Sequence, residues 1–273
     1  MSAQANALLR VENLVKHYER RKLFGAQSVL PALNGVSLSI HAKTTLAVVG
    51  ESGCGKSTLA RCIACLERPT SGDIWFDESN LAKLSEAPQR KVRPQIQLVF
   101  QDPASSLNPR WTAFEVVGEP LFLQRLLSRQ EQEEKCRGLL DMVGISSKSG
   151  ARRVTEFSGG QRQRLAIARA LALQPKLIIL DEALSALDPS IQAQISNLLL
   201  DLQSSLQLSF LFITHDLPMA AHFANEISVM HRGRIVESGS AEKLFRSPEH
   251  EITRGLLAAV PPFAATQITP AVP

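Results

Sequence analysis

The chain has 273 residues, of which 44% are hydrophobic and 21% are charged, and its formal net charge is +4. This length allows one large α/β domain, or a domain with a subdomain. The basic residues are scattered rather than gathered into one stripe, which argues against nucleic-acid binding. No segment approaches the roughly 20 apolar residues that span a bilayer, and residues 1–10 lack the pattern of a secretory signal. We therefore expect any membrane role to be exercised through partner proteins.

The elements predicted along the chain alternate between short apolar strands and helical patterns, which is typical of a largely parallel sheet covered by helices. The predicted strands are residues 8–18, 32–40, 45–49, 73–77, 96–100, 177–180 and 209–214, followed by a hairpin at 227–237. The predicted helices are residues 56–66, 130–143 and 161–173, and one that begins at Pro189 with Asp188 as its N-cap. Strand patterns vanish between residues 102 and 142, so we predict a helical insertion at about residues 102–168. The Pro- and Ala-rich residues 261–273 are predicted to be disordered.

The four cysteines do not predict a disulfide framework or a metal site. Cys62 and Cys65 have CxxC spacing, but no second pair or histidine cluster accompanies them. Both fall where we expect a helix packed against the sheet, so we interpret them as small apolar core residues. This cysteine usage predicts a cytoplasmic protein.

The strongest local pattern is GxxxxGK[ST], between a predicted strand and a predicted helix. It consists of Gly50, Glu51, Ser52, Gly53, Cys54, Gly55, Lys56 and Ser57. Glycines let backbone N–H groups turn toward phosphates, and a helix N-terminus favours negative charge. We predict that Lys56 reaches the β- and γ-phosphates of ATP, that Ser57 binds Mg²⁺, and that Thr58 belongs to the nucleotide site. Cys54 is either an alkylation-sensitive thiol or a tolerated small residue.

An acidic pair follows the apolar residues 177–180. The GxxxxGK[ST] pattern predicts a phosphate-binding loop, or P-loop. Such a loop needs an acid at the tip of a neighbouring strand to complete its metal site, and Asp181 is predicted to bind Mg²⁺ there through water. Glu182 is predicted to orient or polarise the attacking water. Acids after buried strands are common, so the assignment depends on the P-loop.

The segment Phe157-Ser158-Gly159-Gly160-Gln161 resembles the LSGGQ signature of the ABC ATPase family, with Phe157 in place of Leu. A serine and two glycines before a helix can form a second anion site. The resemblance implies that the residues from Ser158 to Gln161 close over the nucleotide of a partner subunit. Two ATP molecules would then be sandwiched between two chains.

Four further residues fall at positions that this family uses. The resemblance implies that Gln101 senses the γ-phosphate or Mg²⁺ and links to transmembrane subunits, and that Asp188 contacts the opposite site. It also implies that His215 contacts the γ-phosphate and that Tyr18 stacks on adenine. For Tyr18, an aromatic residue packed in the core remains the alternative.

The resemblance spans about residues 8–240 and is nearest to the dipeptide, oligopeptide and nickel importer branch. It is carried by VFQDP at 99–103, SLNPR at 106–110, SIQAQ at 190–194, the insertion between Tyr18 and Leu33, and residues 247–261. Ala183 replaces the usual proline after the catalytic glutamate, and residues 41–44 replace the usual Gly-Glu turn. No cysteine follows Cys136, so a C-terminal iron–sulfur site is not expected.

This family resemblance implies an ATPase that energises import of peptides or related small solutes at the cytoplasmic face of the inner membrane. The implied partners are two transmembrane permease subunits, a second ATPase (in a heterodimer rather than a homodimer) and, indirectly, an extracytoplasmic binding protein. We expect residues 1–260 to form a P-loop NTPase core of mostly parallel sheet and flanking helices, with an N-terminal antiparallel β-subdomain and an inserted helical subdomain. The alternative is a soluble ABC ATPase acting on DNA or ribosomes, which the lack of sustained heptads and the single cassette disfavour.

Overall fold

The computed structural model describes residues 7–21, 27–102, 106–125 and 127–259. The strands are β1 (Ala7–Arg21), β2 (Gln27–His41), β3 (Thr45–Val49), β4 (Ser71–Phe76), β5 (Ser79–Asn80), β6 (Ile96–Val99), β7 (Leu177–Asp181), β8 (Ser209–Thr214), β9 (Glu226–His231) and β10 (Arg234–Gly239). The α-helices are α1 (Lys56–Ile63), α2 (Glu86–Val92), α3 (Ala113–Gln124), α4 (Arg129–Met142), α5 (Gly159–Leu171), α6 (Pro189–Leu206), α7 (Leu217–Phe223), α8 (Ala241–Arg246) and α9 (Glu251–Ala258). Short 3₁₀ helices cover Arg93–Gln95, Ser147–Ser149 and Val154–Glu156. None of the helices in these ranges is long and apolar enough to cross a membrane.

The chain divides into two compact units, the first formed by Met1–Arg93 with Ser209–Pro273 and the second by Pro94–Leu208. The helical insertion predicted at residues 102–168 falls inside the second unit, and its bounds stay a prediction. The tail predicted to be disordered, residues 261–273, lies outside the described residues.

The first unit contains the antiparallel sheet expected near the N-terminus, with strand order β2-β1-β4-β5. The long strands β1 and β2 pair from Ala7 opposite His41 to Arg21 opposite Gln27, with several register shifts between them. Side chains of β1 alternate across the sheet, and Leu9, Val11 and Leu14 are buried. The alternating apolar positions Leu9 and Val11 therefore lie on a buried face of this sheet.

The first unit also contains parallel strands, because β3 pairs in parallel with both β8 and β9. Every residue of β3 and β8 is buried, which explains why both read as continuous apolar segments. Phe223 of α7 packs on Phe210 and Phe212 of β8, with ring centroids 5.5 and 5.1 Å apart. The predicted hairpin near residue 231 is confirmed as β9 and β10.

In the second unit β6 and β7 pair in parallel. Helices α3 and α4 begin with capping boxes, at Thr112 with Glu115 and at Ser128 with Glu131. Such reciprocal caps satisfy N–H groups that a helix leaves unpaired at its start. Helical spacing in residues 130–143 predicts one apolar face, formed by Cys136, Leu139, Leu140 and Val143, and all four residues are buried.

Several bounds differ from the sequence predictions, and β2 begins at Gln27 rather than at residue 32. Helix α1 ends at Ile63 rather than at residue 66, since Cys65 has a left-handed backbone with φ 55°. Cys65 is therefore half-buried outside the helix, and only Cys62 is the helical core residue that we expected. Helix α5 begins at Gly159, two residues earlier than predicted, because Ser158 caps it. All four cysteines are free.

A buried carboxylate anchors the C-terminal helix of the first unit. Glu237 on β10 is only 8% exposed, and its oxygens accept hydrogen bonds from the peptide N–H groups of Glu249 at 2.9 Å and His250 at 3.0 Å. Burial by itself would raise the pKa of Glu237, but these hydrogen bonds outweigh it and hold the pKa below its usual range. The charged form of Glu237 therefore stabilises the folded state.

We predict that Glu237→Gln loosens the anchoring of α9. A charge-assisted hydrogen bond contributes about 1.5–3 kcal/mol, so amide hydrogen exchange in Glu251–Ala258 should accelerate at least about 10-fold at pH 7. Because the folded pKa of Glu237 is lowered, its contribution is complete above the unfolded pKa and is lost as pH falls through the folded value. The gap between variant and wild type should thus shrink below about pH 4. Glu242→Gln, at an exposed position of α8, is the control, and equal exchange in all three proteins would contradict the prediction.

Candidate functional site

The GxxxxGK[ST] segment forms the turn between β3 and α1, as predicted. Gly55 is the N-cap residue of α1, and Lys56 is its first residue. Glu51, Ser52 and Gly53 are exposed at the outer part of the turn, whereas Cys54 and Thr58 are buried and Ser57 is half-buried. The first turn of α1 thus carries the residues predicted to bind phosphate and metal.

Two glycines of this turn lie where no side chain fits. A Cβ on Gly50 would lie 2.2 Å from the carbonyl oxygen of Met230. Gly55 has φ 114°, and a Cβ there would lie 2.3 Å from the carbonyl oxygen of Ala32. Both obstructing atoms are backbone atoms, which cannot rotate away. The turn therefore requires glycine at both positions for steric reasons.

The turn is also hydrogen-bonded to its surroundings in the first unit. The N–H of Gly233, in the hairpin between β9 and β10, donates to the carbonyl of Cys54 at 2.8 Å. The carbonyl of Gly233 in turn accepts from the N–H of Asn34 on β2, also at 2.8 Å. The hairpin thus joins the P-loop to the antiparallel sheet and fixes its outer end.

Lys56 bends back over the turn. Lys56 is only 4% exposed, and its Nζ donates hydrogen bonds to the carbonyl oxygens of Gly50 at 2.7 Å and Glu51 at 2.9 Å. A buried ammonium is stable only when such oxygens satisfy it. The cation is therefore held within the loop, where it attracts phosphate oxygens.

The thiol of Cys54 lies beside this ammonium, with Sγ 3.9 Å from the Nζ of Lys56. Burial raises the pKa of the Cys54 thiol, and the nearby Lys56 cation only partly opposes this. A protonated, buried thiol is a poor nucleophile. Packing is thus the better interpretation of Cys54.

His215 is placed near the P-loop by strand pairing. Val49 of β3 lies opposite Thr214 of β8 in the parallel register. His215 and Gly50 therefore follow paired positions at the same edge of the sheet, where ligands bind in parallel α/β folds. His215 is exposed, and the hydroxyl of Thr214 accepts a hydrogen bond from the N–H of Asp216 at 3.0 Å.

Tyr18 is half-buried on β1 and belongs to a polar cluster. Its hydroxyl donates to Glu67, whose other oxygen pairs with Nε of Arg61 on α1 at 2.6 Å. Burial opposes ionisation of Glu67, but the hydrogen bonds from Tyr18 and Arg61 lower its pKa on balance. The Nζ of Lys16 lies 5.1 Å from the centroid of the Tyr18 ring, which suits a cation–π contact. The Tyr18 ring is thus oriented by groups that no local sequence pattern indicated, because Glu67 lies 49 positions away.

The second unit brings together another set of predicted residues. Val99 of β6 lies opposite Leu180 of β7, so Gln101 and Asp181 follow paired strand positions at one edge. Asp181 is 8% exposed, whereas Gln101 is exposed. This edge therefore presents an amide and a carboxylate, both of which offer oxygen ligands.

Glu182 has an unusual backbone. Its φ is 48°, in the left-handed region that non-glycine residues seldom adopt. Its carbonyl accepts hydrogen bonds from Ser185, from the N–H at 3.1 Å and from Oγ at 2.9 Å. Strained backbones of this kind concentrate at active and switch sites. Glu182 thus begins a tight turn, residues 182–188, that ends at Asp188, the N-cap of α6, whose side chain makes no capping hydrogen bond.

The signature segment forms the N-terminus of α5. The Ser158 Oγ accepts from the N–H of Gln161 at 3.3 Å, and the Gln161 Oε1 accepts from the N–H of Ser158 at 3.0 Å. Ser158, Gly159 and Gln161 are exposed, and Gly160 is half-buried against Ile191. The capping box uses the Ser158 oxygen as an acceptor, which leaves its hydroxyl proton for an external acceptor.

The described residues contain no group of three or more histidine, cysteine or acidic side chains that could hold a metal ion. The predicted magnesium ligands, Ser57, Gln101 and Asp181, offer oxygen atoms. Mg²⁺ prefers oxygen ligands and commonly takes several of them from water and nucleotide phosphates. The chemistry of each of these side chains therefore fits a Mg²⁺ ligand.

The chain matches the family model described as ABC transporter over residues 33–185. It is 45% identical to the dipeptide transport ATP-binding protein DppF of Escherichia coli K12, over 93% of this chain and 76% of the relative. It is 49% identical to the probable peptide ABC transporter ATP-binding protein y4tS of Sinorhizobium fredii, over 94% of this chain and 73% of the relative.

Solved structures show the same fold. The ATP-binding cassette MJ0796, a dimer in a post-hydrolysis state with ADP and Pi bound, superposes with a TM-score of 0.76 at 30% identity, covering 85% of this chain and 98% of that one. The cbiO1 protein from Clostridium perfringens, part of the cbiONQ transporter complex, gives a TM-score of 0.76 at 28% identity, covering 96% and 98%. The predicted P-loop NTPase fold is confirmed, and the chain belongs to the ABC transporter family.

Proposed function

We propose that this chain is the ATP-hydrolysing subunit of a transporter that imports peptides or related small solutes, such as dipeptides, oligopeptides or nickel complexes. The observation that carries the ATPase assignment is the buried Lys56 ammonium, held over the P-loop by two carbonyl oxygens. The solute class is supported by the relatives, which are named for dipeptide and peptide transport.

In this proposal the P-loop binds the phosphates of ATP. When phosphate enters, the Lys56 ammonium exchanges its carbonyl partners for the β- and γ-phosphate oxygens. The turn from Gly50 to Gly55 supplies backbone N–H groups, and the N-terminus of α1 adds a favourable dipole. Thr58 and Ser57 lie in that first helical turn. ADP and Pi in the structural neighbour support the nucleotide class.

The residues proposed to act in ATP hydrolysis lie at or just after the C-terminal ends of strands. Mg²⁺, bound with ATP, would neutralise charge that develops on the phosphates. Ser57, Gln101 and Asp181 would hold it, Asp181 through water. Glu182 would orient the attacking water, and His215 would contact the γ-phosphate. The left-handed backbone of Glu182 supports a specific orientation for its side chain.

The signature segment is proposed to act on a second chain. Ser158, Gly159, Gly160 and Gln161 offer an exposed helix N-terminus, which suits a phosphate supplied from outside this subunit. Asp188, free of a capping bond, would contact the opposite site. The dimeric neighbour supports two cassettes working together. We favour a heterodimer with a related ATPase over a homodimer.

The remaining partners are proposed from the family. Two transmembrane permease subunits would hold the dimer at the cytoplasmic face of the inner membrane, and an extracytoplasmic binding protein would deliver the solute. Gln101, exposed at the edge of β6, is the residue that we expect to link to the permeases. No nucleic acid is expected as a partner.

Glu182→Gln should retain ATP binding and reduce turnover at least about 100-fold, because a general base typically contributes 10²–10⁴-fold. Lys56→Ala should instead lose ATP binding. ATP binding by calorimetry and phosphate release by a coupled assay separate the two effects. Glu134→Gln, an exposed change in α4, is the control. Wild-type turnover in Glu182→Gln would show that this carboxylate does not activate water.

If the Tyr18 ring stacks on adenine, Tyr18→Ala should weaken ATP binding about tenfold or more, because base–aromatic stacking contributes about 1–3 kcal/mol. Tyr18→Phe keeps the ring but loses the bond to Glu67, so a loss of less than about threefold is expected. Inorganic triphosphate, which has no base, should bind all three proteins equally. A parallel loss for triphosphate would indicate that Tyr18 acts only in the fold.

If the chain is a transporter subunit, an affinity-tagged copy should co-purify its partner proteins from detergent-solubilised membranes. We expect two polytopic membrane proteins and a second ATPase, identified by mass spectrometry. The Lys56→Ala variant, purified in parallel, should retain the same partners, because it alters nucleotide binding rather than assembly. Recovery only from the soluble fraction, with ribosomes or DNA-repair factors, would keep the ATPase assignment and reject transport.

A further inference from the structure

A buried glutamine in α5 has no hydrogen-bond partner. Gln163 is 0% exposed, and neither its Oε1 nor its Nε2 has a partner among the described residues. Gln89 of α2 provides a contrast, since it is 6% exposed and its Nε2 donates to the carbonyl of Leu81 at 3.0 Å. Leaving a buried carboxamide unpaired costs free energy. Such a group requires an explanation of its own.

The position of Gln163 on α5 indicates where its carboxamide lies. Side chains in an α-helix lean toward its N-terminus, so that of Gln163 lies over the preceding turn, on the stripe of Gly160. That turn packs against the start of α6, since a Cβ on Gly160 would lie 2.6 Å from Cγ2 of Ile191. A Cβ on Gly159 would lie 3.9 Å from Cδ2 of Leu187. The helical turn over which the Gln163 side chain leans therefore packs near Leu187, in the turn at residues 182–188, and near Ile191 at the start of α6.

This turn itself carries a sign of stored strain. Glu182, where the turn begins, has φ 48°, and a non-glycine residue there is disfavoured unless its surroundings hold it. Hydrogen bonds to the backbone of this turn include those from Ser185 to the carbonyl of Glu182 and from Gln192 Nε2 to the carbonyl of Leu184 at 3.0 Å. An unpaired amide and a strained turn thus belong to the same compact unit.

We propose that Gln163 is a positioning residue for this turn. In the ATP-bound arrangement its carboxamide hydrogen-bonds to peptide groups of residues 182–188 and so fixes Glu182 for catalysis. Until that contact forms the carboxamide is unpaired, so forming it releases free energy that favours the ATP-bound arrangement. This inference rests on the proposed ATPase function and deepens it.

The test is Gln163→Met, which keeps the length of the side chain and removes both polar atoms. Without nucleotide, the variant should melt about 2 °C or more above the wild type, because an unpaired group has been removed. Its kcat for ATP hydrolysis should fall about tenfold with little change in the Kd for ATP. A residue that serves only the fold would instead lower the melting temperature and leave kcat per folded molecule unchanged.

Gln89→Met is the matched control, because that glutamine is buried and already paired. It should melt below the wild type and keep wild-type kcat. Gln163→Leu serves as a second variant should methionine pack poorly. A lowered melting temperature or a wild-type kcat in both Gln163 variants would overturn the proposal. Absence of ATP hydrolysis in the wild type would instead reject the proposed function.

Discussion

The close approach of three backbone segments around the P-loop is the constraint on which the first unit depends. The carbonyl oxygens of Met230 and Ala32 occupy the space that side chains at Gly50 and Gly55 would need. The hairpin residue Gly233 then hydrogen-bonds to the loop on one side and to Asn34 on the other. Because the obstructing atoms belong to the backbone, the loop, the hairpin and the antiparallel sheet can only be built together.

Each unit carries one helix N-terminus that is predicted to bind an anion. At α1 the predicted site is reinforced by the buried Lys56 ammonium, whose carbonyl partners can be exchanged for phosphate oxygens. At α5 a capping box fixes the first turn and leaves Ser158 and Gly159 exposed. One anion site is thus internal to a loop and the other faces outward, which suits a protein that shares nucleotides between two subunits.

The second unit combines a buried strand with a turn whose first residue has a strained backbone. Strand β7 is buried throughout, yet it runs directly into the left-handed backbone of Glu182, and the same unit contains the unpaired amide of Gln163. A strained residue and an unpaired amide are tolerated only where the surrounding packing is strong. The strained residue, Glu182, itself carries the predicted catalytic carboxylate, which suits the proposal that this segment changes its arrangement during the ATPase cycle.

Local pattern determined most of the architecture. The GxxxxGK[ST] spacing, the continuous apolar strands and the Asp188-Pro189 helix start depend on neighbouring residues only, so the sequence predicted β3, β8 and the start of α6 with their observed bounds. The cluster of Tyr18, Glu67 and Arg61, the burial of Lys56, and the unpaired Gln163 depend on residues far apart in the chain. The sequence alone thus determined the fold family and predicted which residues carry the chemistry. Only the tertiary structure decided how those residues are oriented, because orientation arises from packing between segments that no local pattern encodes.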